Sequence, residues 1–215
     1  MTSRAALWVE MVGEPRMNTE AAVRNQLVEE LISESRAPWA IIEEFWIPIS
    51  HERADLVFMQ NGLQAFEIKT ERDSLRRLSR QVKAYTRIFD TCTVVVAARH
   101  VDQACCIIPE WWGIWEIPQD SSLSFGKIRK SMRNELVEPE MLVRLLWRDE
   151  VKVAITNLGH PPSPNMGRSL MWEKLVEHAS IEELKSIVES FVQRRDPGRA
   201  RIMTRRFSRA AAELR

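Results

Sequence analysis

Asp55, Glu67 and Lys69 are the residues whose types and spacing offer chemistry. They lie in RADLVFMQNGLQAFEIKT, residues 53–70, two apolar runs joined at Asn61-Gly62. The charges stand at the open ends of what reads as a β-hairpin, Asp55 entering and Glu67 and Lys69 leaving. Two carboxylates brought to about 4 Å repel by roughly 4 kcal/mol at an effective dielectric of 20. A divalent cation between them turns that repulsion into a binding site. Mg²⁺ takes a few carboxylates and keeps waters and phosphate oxygens as its remaining ligands. Such an ion activates water and offsets charge developing on a phosphodiester. A lysine one pleat away can hold the attacking water or the transition-state phosphate. The set therefore suits phosphodiester cleavage. The same spacing also arises as ion pairing at strand ends in a chain with 28% charged residues.

Whether the acids meet depends on strand register. Glu67 and Lys69 share a face because side chains alternate along a strand. A two-residue turn at Asn61-Gly62 sets Gln60 opposite Leu63 and Asp55 opposite Ile68, which parts the acids. A three-residue loop, Gln60 to Gly62, sets Met59 opposite Leu63 and Asp55 opposite Glu67. Gly62 suits the left-handed position such a loop needs. A one-residue slip would move every side chain to the other face. An acidic site requires the three-residue loop or a bulge, and that is the expectation.

The flanking elements must hold this hairpin. Asn18-Thr19 can cap a helix to about Glu34, with Val23, Leu27 and Leu31 as its apolar stripe and Glu20 on the same stripe at its first turn. WAIIEEFWIP, 39–48, reads as a strand ended by Pro48. Asp73 or Ser74 opens a helix with the stripe Leu75, Leu78, Val82, Tyr85, Phe89. TCTVVVAA, 91–98, is a continuous apolar run, the pattern of a central strand buried on both faces. VDQACCII is a short helix or strand, and WWGIWEIP a further strand. Residues 140–158 read as helical, 159–169 as a Pro/Gly/Ser connector and 170–178 as a helix. Ser180-Ile-Glu-Glu183 is a capping box opening a helix to about Arg195. The fold class is α/β: an α-β-β-β-α-β core with a mixed central sheet flanked by helices, plus a C-terminal helical extension. The domains expected are a core at 17–120, a helical extension at 121–195 and a basic tail at 196–215.

Here the chain resembles the PD-(D/E)XK, restriction-endonuclease-like nucleases. "RAD" and "EIK" stand on the second and third strands, and QVKAY, Gln81 to Tyr85, is similar to the QxxxY motif of RecB-type members. The wider pattern resembles an uncharacterised bacterial and phage family assigned to that superfamily, well over 18–120 and loosely beyond. One departure is Ala54, where the family's name has Pro. The resemblance implies Mg²⁺-dependent cleavage of nucleic acid, with Mn²⁺ able to substitute. It implies Asp55 and Glu67 as metal ligands, Lys69 as the catalytic lysine and Gln81 in the catalytic set. DNA is preferred over RNA on this analogy alone. The same fold can also serve as a catalytically inactive module that binds nucleic acid or a partner protein.

Other residues carry two readings each. Glu20 matches the first-helix glutamate that often completes these metal sites, and it also suits a helix N-terminus simply as an acid. Tyr85 lies on the apolar stripe, as core packing or as a nucleic-acid contact. Arg72, Arg76, Arg77 and Arg80 form a solvated helix face or touch phosphates. Glu43 and Glu44 are expected toward solvent, although one of them can face the site. Trp111, Trp112 and Trp115 read as buried strand aromatics, with base stacking as the alternative.

Net charge is +1 but uneven: from Arg194 to Arg215 eight arginines face two acids, and from Lys69 to Arg87 seven Lys/Arg face two. Clustered arginines attract phosphate backbones. The four histidines show no metal spacing, and no P-loop, dinucleotide fingerprint or serine-nucleophile elbow occurs. Three cysteines without a CxxC pair suit a reducing compartment. No apolar run reaches the roughly 18 residues of a membrane span and no signal-peptide pattern opens the chain, so a cytoplasmic protein is expected. Residues 139–195 leave room for an assembly role, such as a homodimer.

Overall fold

Thr19 opens the first element by accepting a hydrogen bond from the Ala22 amide on its hydroxyl, and helix α1 runs Glu20–Ser33. Its buried side is Val23, Leu27, Val28 and Leu31, the expected stripe. The computed structural model describes residues 19–36, 39–48, 50–120 and 123–195, and the backbone of 202–205. After α1 come β1 (Trp39–Ile47), β2 (Glu52–Met59) and β3 (Leu63–Lys69), then a 3₁₀ turn at Leu75–Arg77 continuing into α2 (Leu78–Thr86) and β4 (Thr91–Val96). A second 3₁₀ turn (Ala98–His100) leads into α3 (Val101–Ile107), followed by β5 (Gly113–Glu116) and β6 (Gly126–Arg129). The rest is helical: α4 (Pro139–Leu142), a 3₁₀ turn (Val143–Leu145), α5 (Arg148–Asn157), α6 (Arg168–His178) and α7 (Ile181–Val192), before a last strand β7 (Ile202–Arg205).

The strands form one mixed seven-stranded sheet in the order β6-β5-β4-β3-β2-β1-β7. β1, β2 and β3 are antiparallel neighbours, whereas β3, β4 and β5 run parallel. β4 lies inside the sheet between β5 and β3, and all but its first residue are buried, as its unbroken apolar run requires. One face of the sheet packs against α1 through Ile41, Leu56, Phe58, Phe66 and Ile68. The opposite face meets α2 through Leu78, Val82 and Tyr85. The fold class is thus α/β, with the α-β-β-β-α-β order of the core and helices on both faces.

Two strands were not legible in the sequence. β6 (GKIR) is short and mostly exposed, so it has no apolar alternation to reveal it, and only pairing with β5 defines it. β7 lies in the basic tail and pairs with β1. The remaining residues of the 196–215 tail lie outside the described residues. The C-terminal helices bury Leu142, Leu146, Val151, Leu175, Leu184 and Val188 in the same apolar cluster as the sheet residues Val57, Ala65 and Val94. They are built onto the sheet's core. The expected helix over 140–158 is broken at Leu146, whose backbone is extended. Among the described residues no helix is long and apolar enough to cross a membrane.

The hairpin takes the three-residue loop. Met59 pairs with Leu63, Phe58 with Gln64 and Val57 with Ala65. Asn61 (φ 62°) and Gly62 (φ 122°) both have left-handed backbone. Asp90 clamps the loop: its Oδ2 accepts from the Leu63 amide at 2.8 Å, and its Oδ1 meets Lys185 Nζ on α7 at 2.8 Å.

Candidate active site

The pairing of β2 with β3 ends at Leu56 and Phe66, although both strands continue. Asp55 and Glu67 stand one step further on, where the strands fork. Asp55 Oδ2 accepts a hydrogen bond from the Ile68 amide at 2.7 Å. The side chain thus takes up a donor left free by the fork. Asp55 is half-buried. Burial, then the charges of Glu67 and Glu20, push its carboxyl up from the ordinary 3.8 to about 8. The Ile68 amide and Lys69 pull the other way without winning.

Glu67 is 1% exposed, and its oxygens are all engaged. Oε1 accepts from Lys69 Nζ at 2.5 Å and from Gln81 Nε2 at 2.5 Å, and Oε2 lies 2.6 Å from the Tyr85 hydroxyl. The hydroxyl is also 3.0 Å from the Arg53 carbonyl, so its one proton is shared between two acceptors. Burial, with Glu67 and Asp55 nearby, pushes the Tyr85 hydroxyl well above its ordinary value, so it stays a phenol. The Tyr85 ring is fixed by Phe89, edge-on at 5.3 Å, and by Trp112, stacked at 5.8 Å. Gln81 Oε1 is buried and has no donor, an orphaned acceptor beside the carboxylates.

The acids that gather around Asp55 come from elsewhere. Glu20, Glu44 and Asp55 each bring a carboxylate oxygen within 4.8 Å of the others. Glu20 arrives because the apolar stripe of α1 seats the helix on the sheet. Glu44 arrives through an irregularity: it has φ 56° in the middle of β1, between the pairs Glu43–Leu56 and Phe45–Ala54. Left-handed backbone in a non-glycine residue costs of order 1–3 kcal/mol and collects at functional sites. Arg53 ion-pairs with Glu44, and Arg24 answers the cluster more widely. It ion-pairs with Glu20 and meets Glu44 at 2.6 Å and Glu43 at 3.7 Å. Burial alone would lower the Arg24 guanidinium, but Glu20, Glu44 and Asp55 hold it above its ordinary value.

Asp55, Glu67, Lys69 and Gln81 are therefore brought together, with Glu20 over them. Arg24 is the residue sequence reasoning missed, and Glu44 the one it placed at the site only as the lesser of two readings. Arg24 was findable, four residues after Glu20 on one helix face. The backbone of Glu44 was not, since nothing in a glutamate announces positive φ. The expectation that Glu43 and Glu44 face solvent is corrected: Glu43 is buried and Glu44 half-buried. Tyr85 needs correcting as a nucleic-acid contact. It is fully buried and can act only through Glu67. Arg72, Arg76, Arg77 and Arg80 are all exposed on the start of α2 and the turn before it, and Arg80 ion-pairs with buried Glu52. Trp112 is fully buried, which removes it from base stacking, and Trp111 and Trp115 are partly buried.

The donor set suits a hard divalent cation: oxygen ligands from three carboxylates at one mouth, with a fourth, Glu67, locked behind them. The polar network around Glu67 is of the kind that fixes a ligand's orientation.

Comparison with known proteins gives the chain a family. A curated relative, protein cII of Enterobacteria phage P4, is 28% identical over 178 residues, covering 82% of this chain and 67% of that protein. A solved structure of a protein of unknown function from Silicibacter pomeroyi overlaps 54% of this chain and 73% of its own, at a TM-score of 0.40 and 13% identity. The family described as Bacteriophage P4 protein cII matches residues 14–212, a span that includes every residue of the acid fork, and the chain belongs to that family.

Proposed function

We propose that this chain is a metal-dependent nuclease of the PD-(D/E)XK kind, hydrolysing phosphodiester bonds of DNA. The observation that carries the reading is the fork itself. Asp55, Glu67 and Lys69 converge where β2 and β3 part, and Gln81 and Tyr85 hold Glu67. Asp55, Glu20 and Glu44, with Glu67 behind, would hold Mg²⁺, or Mn²⁺ in its place. That ion would lower the pKa of a bound water and offset charge on the phosphate.

The chain's own groups do the rest. Lys69, 8% exposed, carries its ammonium to the fork and meets charge developing on a phosphate oxygen. Gln81 and Tyr85 fix the Glu67 carboxylate in one orientation. The orphaned Gln81 Oε1 is free to accept a hydrogen bond from a donor that enters. Asp55 keeps its proton near neutral pH unless a cation replaces it, so cation binding strengthens as pH rises toward 8. The exposed arginines 72, 76, 77 and 80 offer phosphate contacts beside the site.

Arg24 favours a second reading. Its guanidinium already lies among Glu20, Glu43 and Glu44, so it could supply the compensating charge of a nuclease-like module that binds nucleic acid or a partner protein without cutting. Plasmid nicking with Mg²⁺ or Mn²⁺ separates the two. The nuclease reading expects wild-type nicking that disappears in Asp55→Asn and in Lys69→Ala. Equal activity in all three sinks it. No metal-dependent nicking, with DNA affinity that falls as salt rises, supports the inactive module.

A further inference from the structure

At the far end of β1 from its pairing with β7, a groove of about 410 Å³ opens beside Pro48. Its floor is Leu145 and Leu146, and its walls are Arg144, Trp147, Arg168 and Trp172. Three features distinguish it from ordinary surface. First, Arg144 and Arg168 both lie over the Trp172 ring, at 5.4 and 4.6 Å from its centroid. Neither has a carboxylate partner among the described residues. Two guanidinium groups sharing one indole repel each other, and an anion in the groove offsets that. Second, Trp147 is 59% exposed yet braced. Arg195 lies 4.4 Å from its ring centroid, and Arg195 is itself fixed by Glu150 at 2.6 and 2.8 Å and by the Leu145 carbonyl at 2.6 Å. A large indole is thus held ready to stack, with little further ordering to be lost on binding. Third, Trp172 Nε1 is a buried donor without an acceptor.

Anion-seeking arginines, a rigid exposed indole and apolar walls match one ligand class. We propose that the groove binds an unpaired nucleotide of a single-stranded nucleic acid, its base stacked on Trp147 and its phosphates at Arg144 and Arg168. The volume falls in the range of small-ligand pockets, roughly 300–1,000 Å³. The position fits too: Pro48 lies four residues beyond Glu44 along β1, about 13 Å at ~3.3 Å per residue. A strand crossing the acid fork can reach it within a few nucleotides. The inference rests on the nucleic-acid reading of the fork and extends it from duplex to unpaired strand.

The test uses the full chain carrying Asp55→Asn, in a chelator, so that nothing is cut. Binding of a labelled oligodeoxythymidylate is followed by anisotropy and by quenching of tryptophan fluorescence. Trp147→Ala is expected to weaken binding about tenfold, within the range known for losing one base–aromatic stack, and to remove most of the quenching. Arg144→Gln with Arg168→Gln is expected to weaken binding and to lower the salt slope by about 1.4, two single-strand phosphate contacts at ~0.7 each. The three residues are exposed, and a circular-dichroism melt confirms that the variants fold. Affinity within twofold of the parent in both variants overturns the proposal. So does tight binding to vesicles of anionic lipid that Trp147→Ala abolishes while oligonucleotide binding is unchanged, which would make the groove a membrane contact. Nicking assays are run separately. If Asp55→Asn nicks like wild type, the nuclease reading falls and the groove is judged by binding alone. If Asp55→Asn is inactive and Trp147→Ala binds normally, the groove falls alone.

Discussion

Replacing Asp55 by Asn should stabilise the protein, and by an amount that grows with pH. The folded chain holds the Asp55 carboxyl at about 8 against an ordinary 3.8. Between those values the folded state keeps a proton that the unfolded chain has released. Stability contributed by the protonated group is therefore present at low pH and falls as pH rises through that window. Each pH unit is worth at most about 1.36 kcal/mol, so the ceiling at pH 7 is about 4 kcal/mol. Asp55 is only half-buried, and solvent screening reduces this to about 2 kcal/mol. Asparagine removes the titration but keeps an oxygen to accept the Ile68 amide, now 2.7 Å away. For a domain of this size about 2 kcal/mol corresponds to roughly 4–8 °C in Tm.

The assay is a series of thermal melts from pH 4 to 8 in chelator at low salt, wild type beside Asp55→Asn. All other titrating groups are common to the two proteins and cancel in the difference. The two melting temperatures should nearly coincide at pH 4 and separate steadily above it, the variant being the more stable. Adding Mg²⁺ at pH 8 should narrow the gap, because only wild type keeps the full carboxylate set and ligand binding stabilises the state that binds. A constant separation from pH 4.5 to 8 would refute the argument that burial and like charge hold Asp55 protonated.

Lys69→Ala leaves Glu67, 1% exposed, without its ammonium partner. A cost of about 3 kcal/mol or more is expected from urea unfolding, and Glu67→Gln with Lys69→Met should recover most of it. Tyr85→Phe deletes the hydroxyl 2.6 Å from Glu67 Oε2. It should cost about 1–2 kcal/mol and lower nicking at least tenfold, while DNA affinity in chelator stays unchanged because the residue is buried. Gly62→Ala combines φ 122° with a Cβ that would fall 2.7 Å from Asp90 Oδ2. A loss of about 2 kcal/mol or more in a thermal melt is expected. Arg76→Gln with Arg77→Gln should lower the salt slope of duplex binding by about 1.8 if both contact phosphates, and leave melting unchanged.

The parts of this site that the sequence reveals are those governed by periodicity. Asn61-Gly62, with the apolar stretches on either side, announced a tight hairpin but left the loop length open, and Met59 opposite Leu63 is what places Asp55 and Glu67 at one fork. The stripes of α1 and α2 put Glu20, Gln81 and Tyr85 on faces that turn toward the sheet. The helices beyond residue 139 were readable one by one, from caps and apolar spacing. That they share the sheet's core was not, because burial against a distant element leaves no local trace. β6 escaped because an edge strand facing solvent needs no apolar pattern. Tyr85 shows a subtler limit. Its place on the stripe was plain, and its hydroxyl still reaches Glu67, so core packing and a polar contact with the fork coincide in one residue.

The acids around Asp55 carry the larger lesson about the site. Periodicity alone sets two carboxylates at the fork, a number that a lysine nearly balances. Left-handed backbone at Glu44 and the first turn of α1 bring two more carboxylates, so that four acids, once Asp55 ionises, face three cations, Arg24, Arg53 and Lys69. A fold that sought only stability would not strain β1 in order to crowd acids and raise a carboxyl to about 8. The excess makes sense if something positive enters from outside. Arg24 then acts as the counter-charge that keeps the cluster intact until it does, and Arg24→Met tests that role. Without the guanidinium, chelated protein should melt lower, and added Mg²⁺ should restore more of the loss than it does for wild type. Equal Mg²⁺ stabilisation in both proteins would show that Arg24 and a cation do not share these carboxylates.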